Sequence, residues 1–227
     1  LFQNAMRLID LNKPKAAKDI LEDLLQKDPS NDGLLVELGL LHLVDFRDLS
    51  KGRYYLERAL EIQPDNIVAL SELITLYEDF DQSQSGIRFM EILYNKNYNN
   101  HNIAYGLGHI YSSQGHFYQA VPYLEVAAES GNYNYIEELA HAQLASGDNY
   151  GAIDSLQKII NLYKESYSGP EEIIERSYIQ LITALIKVGQ VDNAKFIFRD
   201  LKQHKPGLFG KETEQKIFSL LVKQNPI

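Results

Sequence analysis

No cysteine occurs in this chain of 227 residues, which removes disulfides, thiolate metal sites and a cysteine nucleophile together. The absence fits a reducing compartment. Long apolar runs are missing too: nothing approaches the roughly 18 to 20 consecutive apolar residues that span a bilayer. Positive charge is in deficit, with 22 Lys and Arg against 31 Asp and Glu and a formal charge of -9. Nonspecific nucleic-acid binding needs cationic surface to displace counterions from phosphates, and anionic membranes reward the same surface. Both partners are therefore disfavoured. Leu1 to Asp10 carries an apolar pattern with one Arg and no small-residue cleavage site, unlike a signal peptide. Because the sequence does not begin with Met, we expect a piece of a longer protein, with any targeting signal upstream; the default expectation is cytoplasmic. Phosphate loops, dinucleotide fingerprints, nucleophile elbows and metalloprotease helix motifs are all absent. We therefore expect no enzyme and no cofactor.

What the chain has is repetition. A small residue near the start of a helix is followed four positions later by an apolar one, at Ala17/Leu21, Gly52/Leu56, Gly86/Met90, Ala120/Leu124, Ala152/Leu156 and Ala194/Phe198. Successive anchors lie 35, 34, 34, 32 and 42 residues apart, so the chain reads as a stacked array with a period of 34. Each copy reads as two amphipathic helices joined by a short turn. In the fourth, Ala104, Leu107, Gly108 and Tyr111 fall on one helical face, and Gly115 is placed to take the left-handed conformation that ends many helices. Equivalent faces are Leu35, Leu38, Gly39 and His42; Leu70, Leu73, Ile74 and Tyr77; Ile136, Leu139, Ala140 and Gln143; and Tyr178, Leu181, Ile182 and Leu185. The small residues allow backbones to approach where helices cross, since overpacking such a crossing costs about 1 to 3 kcal/mol.

The copies span about 1-31, 32-66, 67-100, 101-132, 133-166 and 167-208, in one domain. A helix at about 211-224 should cap the array, with Ile217, Phe218, Leu220 and Leu221 turned to the last repeat and Lys211, Glu212, Glu214 and Lys223 to water. The long fifth spacing, before the sixth copy, is expected to add a turn to the helix that Ser168, Gly169 and Pro170 introduce, whose first residues Glu171 and Glu172 suit the positive end of the helix dipole. Asn95 to Asn102 reads as an ordinary turn with local composition bias.

The helix pairs, the period, Leu38-Gly39 and Leu107-Gly108, Tyr77 and Tyr111, the small anchors and Pro29, Pro64 and Pro206 together resemble the tetratricopeptide repeat over residues 1 to about 208. Tryptophan is absent from the first helices, and the closing proline is absent from the third to fifth copies, where that family's pattern has both. The resemblance implies an all-α, right-handed superhelical solenoid of antiparallel helix pairs whose first helices line a concave groove. It also leads us to read His42, which stands where an aromatic residue is usual, as core.

On that reading the groove residues flank the buried positions. They are Phe2, Gln3 and Met6; Val36, Glu37 and Leu40; Ser71, Glu72, Thr75, Glu78 and Asp79; Asn102, Tyr105, His109 and Ser112; Asn134, Glu137, Glu138 and His141; and Arg176, Gln180, Thr183 and Lys187. The middle is acidic and the C-terminal end basic. Family members that capture acidic chaperone tails resemble one another in a Lys, Asn and Arg clamp; Glu37, Glu72, Glu78 and Asp79 are unlike it, so the expected partner is a protein or peptide of basic or mixed apolar and basic character. The carboxylates could equally be a solvated face. Tyr105 could anchor a peptide or pack on a neighbour. His109 and His141, with Glu137 and Glu138, could bind a metal, although polar groove histidines account for them more simply. The functional expectation is a non-catalytic interaction scaffold. The alternative is an accessory repeat domain of a larger enzyme or a signalling or transcription regulator.

Overall fold

The computed structural model describes residues 1–79, 83–166, 169–204 and 207–223. Among these the chain forms thirteen α-helices and no strand. They are α1 (Phe2–Asp10), α2 (Pro14–Lys27), α3 (Asp32–Val44), α4 (Leu49–Ile62), α5 (Ile67–Asp79), α6 (Ser83–Lys96), α7 (His101–Ser113), α8 (Phe117–Ala128), α9 (Tyr133–Ser146), α10 (Asn149–Ser166), α11 (Glu171–Lys187), α12 (Val191–His204) and α13 (Lys211–Lys223). Ser168 and Pro206 lie outside the described residues, as do the side chains of Asp79 and Lys223. The chain divides at the turn between α7 and α8 into two compact units, Leu1–Gln114 and Gly115–Ile227.

In unit 1 each helix packs on its neighbour in sequence, and α5 also packs on α7. The fourth residues of α2, α4 and α6 are the anchors Ala17, Gly52 and Gly86, all buried, and Leu21, Leu56 and Met90 four positions on are fully enclosed. The crossing of α3 and α4 shows why Gly52 is small. A Cβ there would enter the Leu43 side chain and lie 3.2 Å from the Gly39 carbonyl oxygen. Two ladders then tie successive pairs. Tyr77 donates its hydroxyl to Glu57 Oε1 at 2.6 Å, and Tyr111, one period on, donates to Glu91 Oε1 at 2.8 Å. Burial and then the bond to Glu57 push the Tyr77 phenol far above its ordinary range, so it stays a donor. Asn66 Nδ2 donates to Asp32 at 2.8 Å and Asn100 Nδ2 to Asp65 at 2.6 Å, while the same asparagines accept backbone N–H groups at the starts of α5 and α7. The Asn95 to Asn102 segment is thus a structural joint rather than an ordinary turn.

In unit 2 the anchors are Ala120, Ala152 and Ala194, each with no exposed surface. Gly115, Gly131, Gly147 and Gly189 hold φ values of 75°, 76°, 92° and 81°, the left-handed turn conformation expected of Gly115 and shared by the other three. The long spacing before α12 is shared between α10, at 18 residues, and α11, at 17, with Pro170 standing at the N-cap of α11. Lys158 Nζ, on α10, donates to the Ala128 carbonyl at the end of α8 at 2.7 Å, as suits a cation at a helix C-terminus. Packing of α13 on α11 and α12 buries Ile217 and Leu221, but Phe218 and Leu220 are 62% and 41% exposed. The expected four-residue apolar face is therefore a two-residue contact: one helix turn separates Ile217 from Leu221, whereas Phe218 and Leu220 point to either side of that line.

Candidate binding surfaces

On α7 the side chain of Asn100 accepts from the N–H groups of Asn102 and Ile103 at 3.0 and 3.1 Å, which sets the helix start. Burial of Ala104 and Leu107 leaves Tyr105 and His109, one turn apart, partly exposed. Their rings stack with centroids 5.5 Å apart. His109 Nε2 lies 2.9 Å from Glu78 Oε1, joining α7 to α5. Glu72 and Asn102 are half-buried and Thr75 is exposed, its hydroxyl donating to the Ser71 carbonyl at 3.1 Å. On α3, Glu37 is half-buried, and that burial holds its carboxyl above the usual carboxylate range. Among the described residues neither Glu37 nor Glu72 has a hydrogen-bond or ion-pair partner. Val36 and Ser112 do not reach this face, being 6% and 7% exposed. Each lies on a helix covered on more than one side, so the buried arc is wider than a single apolar stripe; on α3 it takes in Leu34, Leu35, Val36, Leu38, Gly39, Leu41 and His42.

The first helices of unit 2 present a different surface. Glu138 is half-buried and His141 exposed, with the His141 ring edge-on to Phe117 at 5.6 Å. Arg176 Nε and Nη2 donate to the two carboxylate oxygens of Glu137 at 2.8 and 3.0 Å, a bidentate pair between α11 and α9. The basic end expected of this face is thereby corrected: Arg176 is neutralised by Glu137, and Lys187 is left exposed in the last turn of α11. No group of three or more His, Asp or Glu placed to hold a metal occurs among the described residues. No described helix is long and apolar enough to cross a membrane.

Periodicity alone did not reveal two clefts on unit 1. One, of about 390 Å³, is lined by Phe2, Leu24, Lys27, Asp28, Asn31, Gly33 and Leu34; the other, of about 360 Å³, by Glu22, Leu25, Gln26, Pro29, Tyr55 and Arg58. Arg58 also donates to the Pro29 carbonyl at 3.3 Å. The asparagine ladder did have a sequence signal: Asn31, Asn66 and Asn100 recur near the period, each one residue before a first helix or its first turn.

Thirteen helices with small residues at their crossings define an α-helical repeat protein. More specifically, residues 101–130 match the tetratricopeptide repeat, and the chain has the tetratricopeptide-repeat fold. No curated protein matches it in sequence. Solved structures of similar fold include YrrB, described as a TPR protein with an unusual peptide-binding site, at 11% identity and TM-score 0.59 over 88% of this chain and 97% of that one. Pseudomonas aeruginosa pilF is 15% identical with TM-score 0.55, covering 96% and 95% of the two chains. PilW, a type IV pilus biogenesis factor, is 16% identical with TM-score 0.54, covering 95% and 96%.

Proposed function

We propose that this protein is a non-catalytic scaffold that holds a peptide or protein segment against the first-helix face of unit 1. Glu37, Glu72 and Glu78 supply negative charge, Tyr105 stacked on His109 supplies a flat aromatic platform, and Thr75 and Asn102 lie beside them. The observation that carries this reading is the pair of carboxylates, Glu37 and Glu72, left without a cation among the described residues. A carboxylate half out of water gains when a cationic side chain arrives, so the segment is one that brings Lys or Arg beside apolar residues. Asp79 belongs to the same proposed set on unit 1; Glu138, His141, Arg176 and Lys187 form a separate proposed surface on the first helices of unit 2, with the paired Arg176 in a supporting role. YrrB, with its peptide-binding site, is an example of this fold used for such a purpose.

Immobilised peptides of lysine-rich, neutral and glutamate-rich composition test the charge preference. The lysine-rich set should bind best, and Glu37→Lys with Glu72→Lys should weaken it at least about tenfold, roughly 1.4 kcal/mol, at unchanged circular dichroism. Equal binding of all three sets, or binding indifferent to the double substitution, defeats the proposal.

A further inference from the structure

His42 on α3 is 4% exposed, and both its ring nitrogens are buried without a hydrogen-bond partner among the described residues. The Tyr55 ring stacks on it at 5.6 Å and the Phe46 ring lies at 5.3 Å. Asp48 Oδ2 is 3.9 Å from Nδ1. That carboxylate has a second task, because its Oδ1 accepts from the Lys51 N–H at 3.1 Å and caps α4. The Asp48 N–H donates in turn to the His42 carbonyl at 2.8 Å. The two residues therefore tie the end of α3 to the start of α4 across Arg47, whose φ of 51° is a left-handed conformation that side chains disfavour. A turn of that kind persists only while its surroundings hold it.

We propose that His42 is an acid-sensitive latch for the α3–α4 turn: protonation of the buried imidazole draws the Asp48 carboxylate off the α4 cap, and the turn at Arg47 opens. Charged groups face His42 from two helices. Lys51 and Asp48 belong to α4 and its cap, and Lys18 and Glu22 to α2. Burial acts first and Lys51 next to hold the imidazole below its ordinary range, with Asp48 opposing them. The folded state thus favours the neutral ring. Its contribution to stability is complete above the unfolded-state value of about 6.5 and is lost as the pH falls from there through the lower folded-state value. Glu37, on the same helix, acts in the opposite sense, because burial raises its carboxyl; comparison with a His42 variant removes that contribution.

Amide exchange of the full chain at residues 48 to 51, corrected for the intrinsic pH dependence, tests the latch at about pH 7.5 and about pH 5.5. On acidification the wild type should lose at least about tenfold more protection there than His42→Phe. Equal loss in both overturns the latch. If His42→Phe does not fold, Asp48→Asn decides, since Asn caps a helix as well as Asp does but cannot attract an imidazolium. The NMR titration midpoint of His42 should lie below the ordinary histidine value of about 6.5 and fall further in Asp48→Asn. A midpoint that is unmoved in that variant overturns the latch as well.

Discussion

Unit 1 and unit 2 answer the same two demands, close helix crossings and left-handed turns, largely with opposite residues. Unit 1 has alanine at its first anchor, Ala17, but glycine at the crossings that follow, Gly39, Gly52 and Gly86, and lets Asn12, Arg47 and Asn99 take φ values of 55°, 51° and 67° in its turns. Unit 2 places alanine at its anchors and glycine in its turns. A glycine inside a helix is about 1 kcal/mol less favourable than alanine, and a non-glycine residue in the left-handed region costs roughly 1 to 2 kcal/mol. Both penalties fall on unit 1, which is also where the tyrosine and asparagine ladders are found. Unit 2 carries a different irregularity, Pro122 inside α8, where a helical donor is lost. Charge divides the same way: unit 2 closes Arg176 on Glu137, whereas unit 1 leaves Glu37 and Glu72 open. Strain and uncompensated charge thus occur together, in the unit to which we assign binding.

The largest effect is expected where neither unit has room to yield. Ala120→Glu should lower the stability of unit 2 by about 3 kcal/mol or more, because a charge is buried without a partner; urea unfolding measures it, and a loss under about 0.5 kcal/mol, the surface norm, would mean the anchor is not a crossing. Next, Gly52→Ala should cost about 1 to 3 kcal/mol by overpacking against Leu43 and the Gly39 carbonyl, whereas Ala152→Gly should cost only about 1 kcal/mol. If Gly52→Ala is neutral or stabilising, the two units do not differ at their crossings. The smallest effect belongs to the turns. Gly147→Ala should lose about 1 to 2 kcal/mol, while Arg47→Gly should be neutral or gain up to about 1 kcal/mol; destabilisation by both would show that the Arg47 turn holds no strain.

Much of the fold is legible in the linear pattern because the anchors recur at a helical offset and each helix pair repeats the same burial rule. The expected faces through Leu38, Leu73, Leu107, Leu139 and Leu181 are buried except at Ile74 and Tyr111, which are half-buried, and His42 is core as its position implies. The surface was less legible. Whether Arg176 is available depends on Glu137, 39 residues away, and whether Val36 and Ser112 face outward depends on how many neighbours cover each helix. Phe218 and Leu220 fit an apolar cluster in sequence, yet α13 has room against α11 and α12 for one line of side chains, Ile217 and Leu221.

Local spacing was enough to determine helix pairs, small anchors and glycine turns, because backbone propensity and periodic burial act over a few residues and need no knowledge of distant partners. Only tertiary packing decided which charges remain open. The carboxylates of Glu37 and Glu72 and that of Glu137 look alike in the sequence, and they differ because a guanidinium on another helix reaches one of them while none reaches the others.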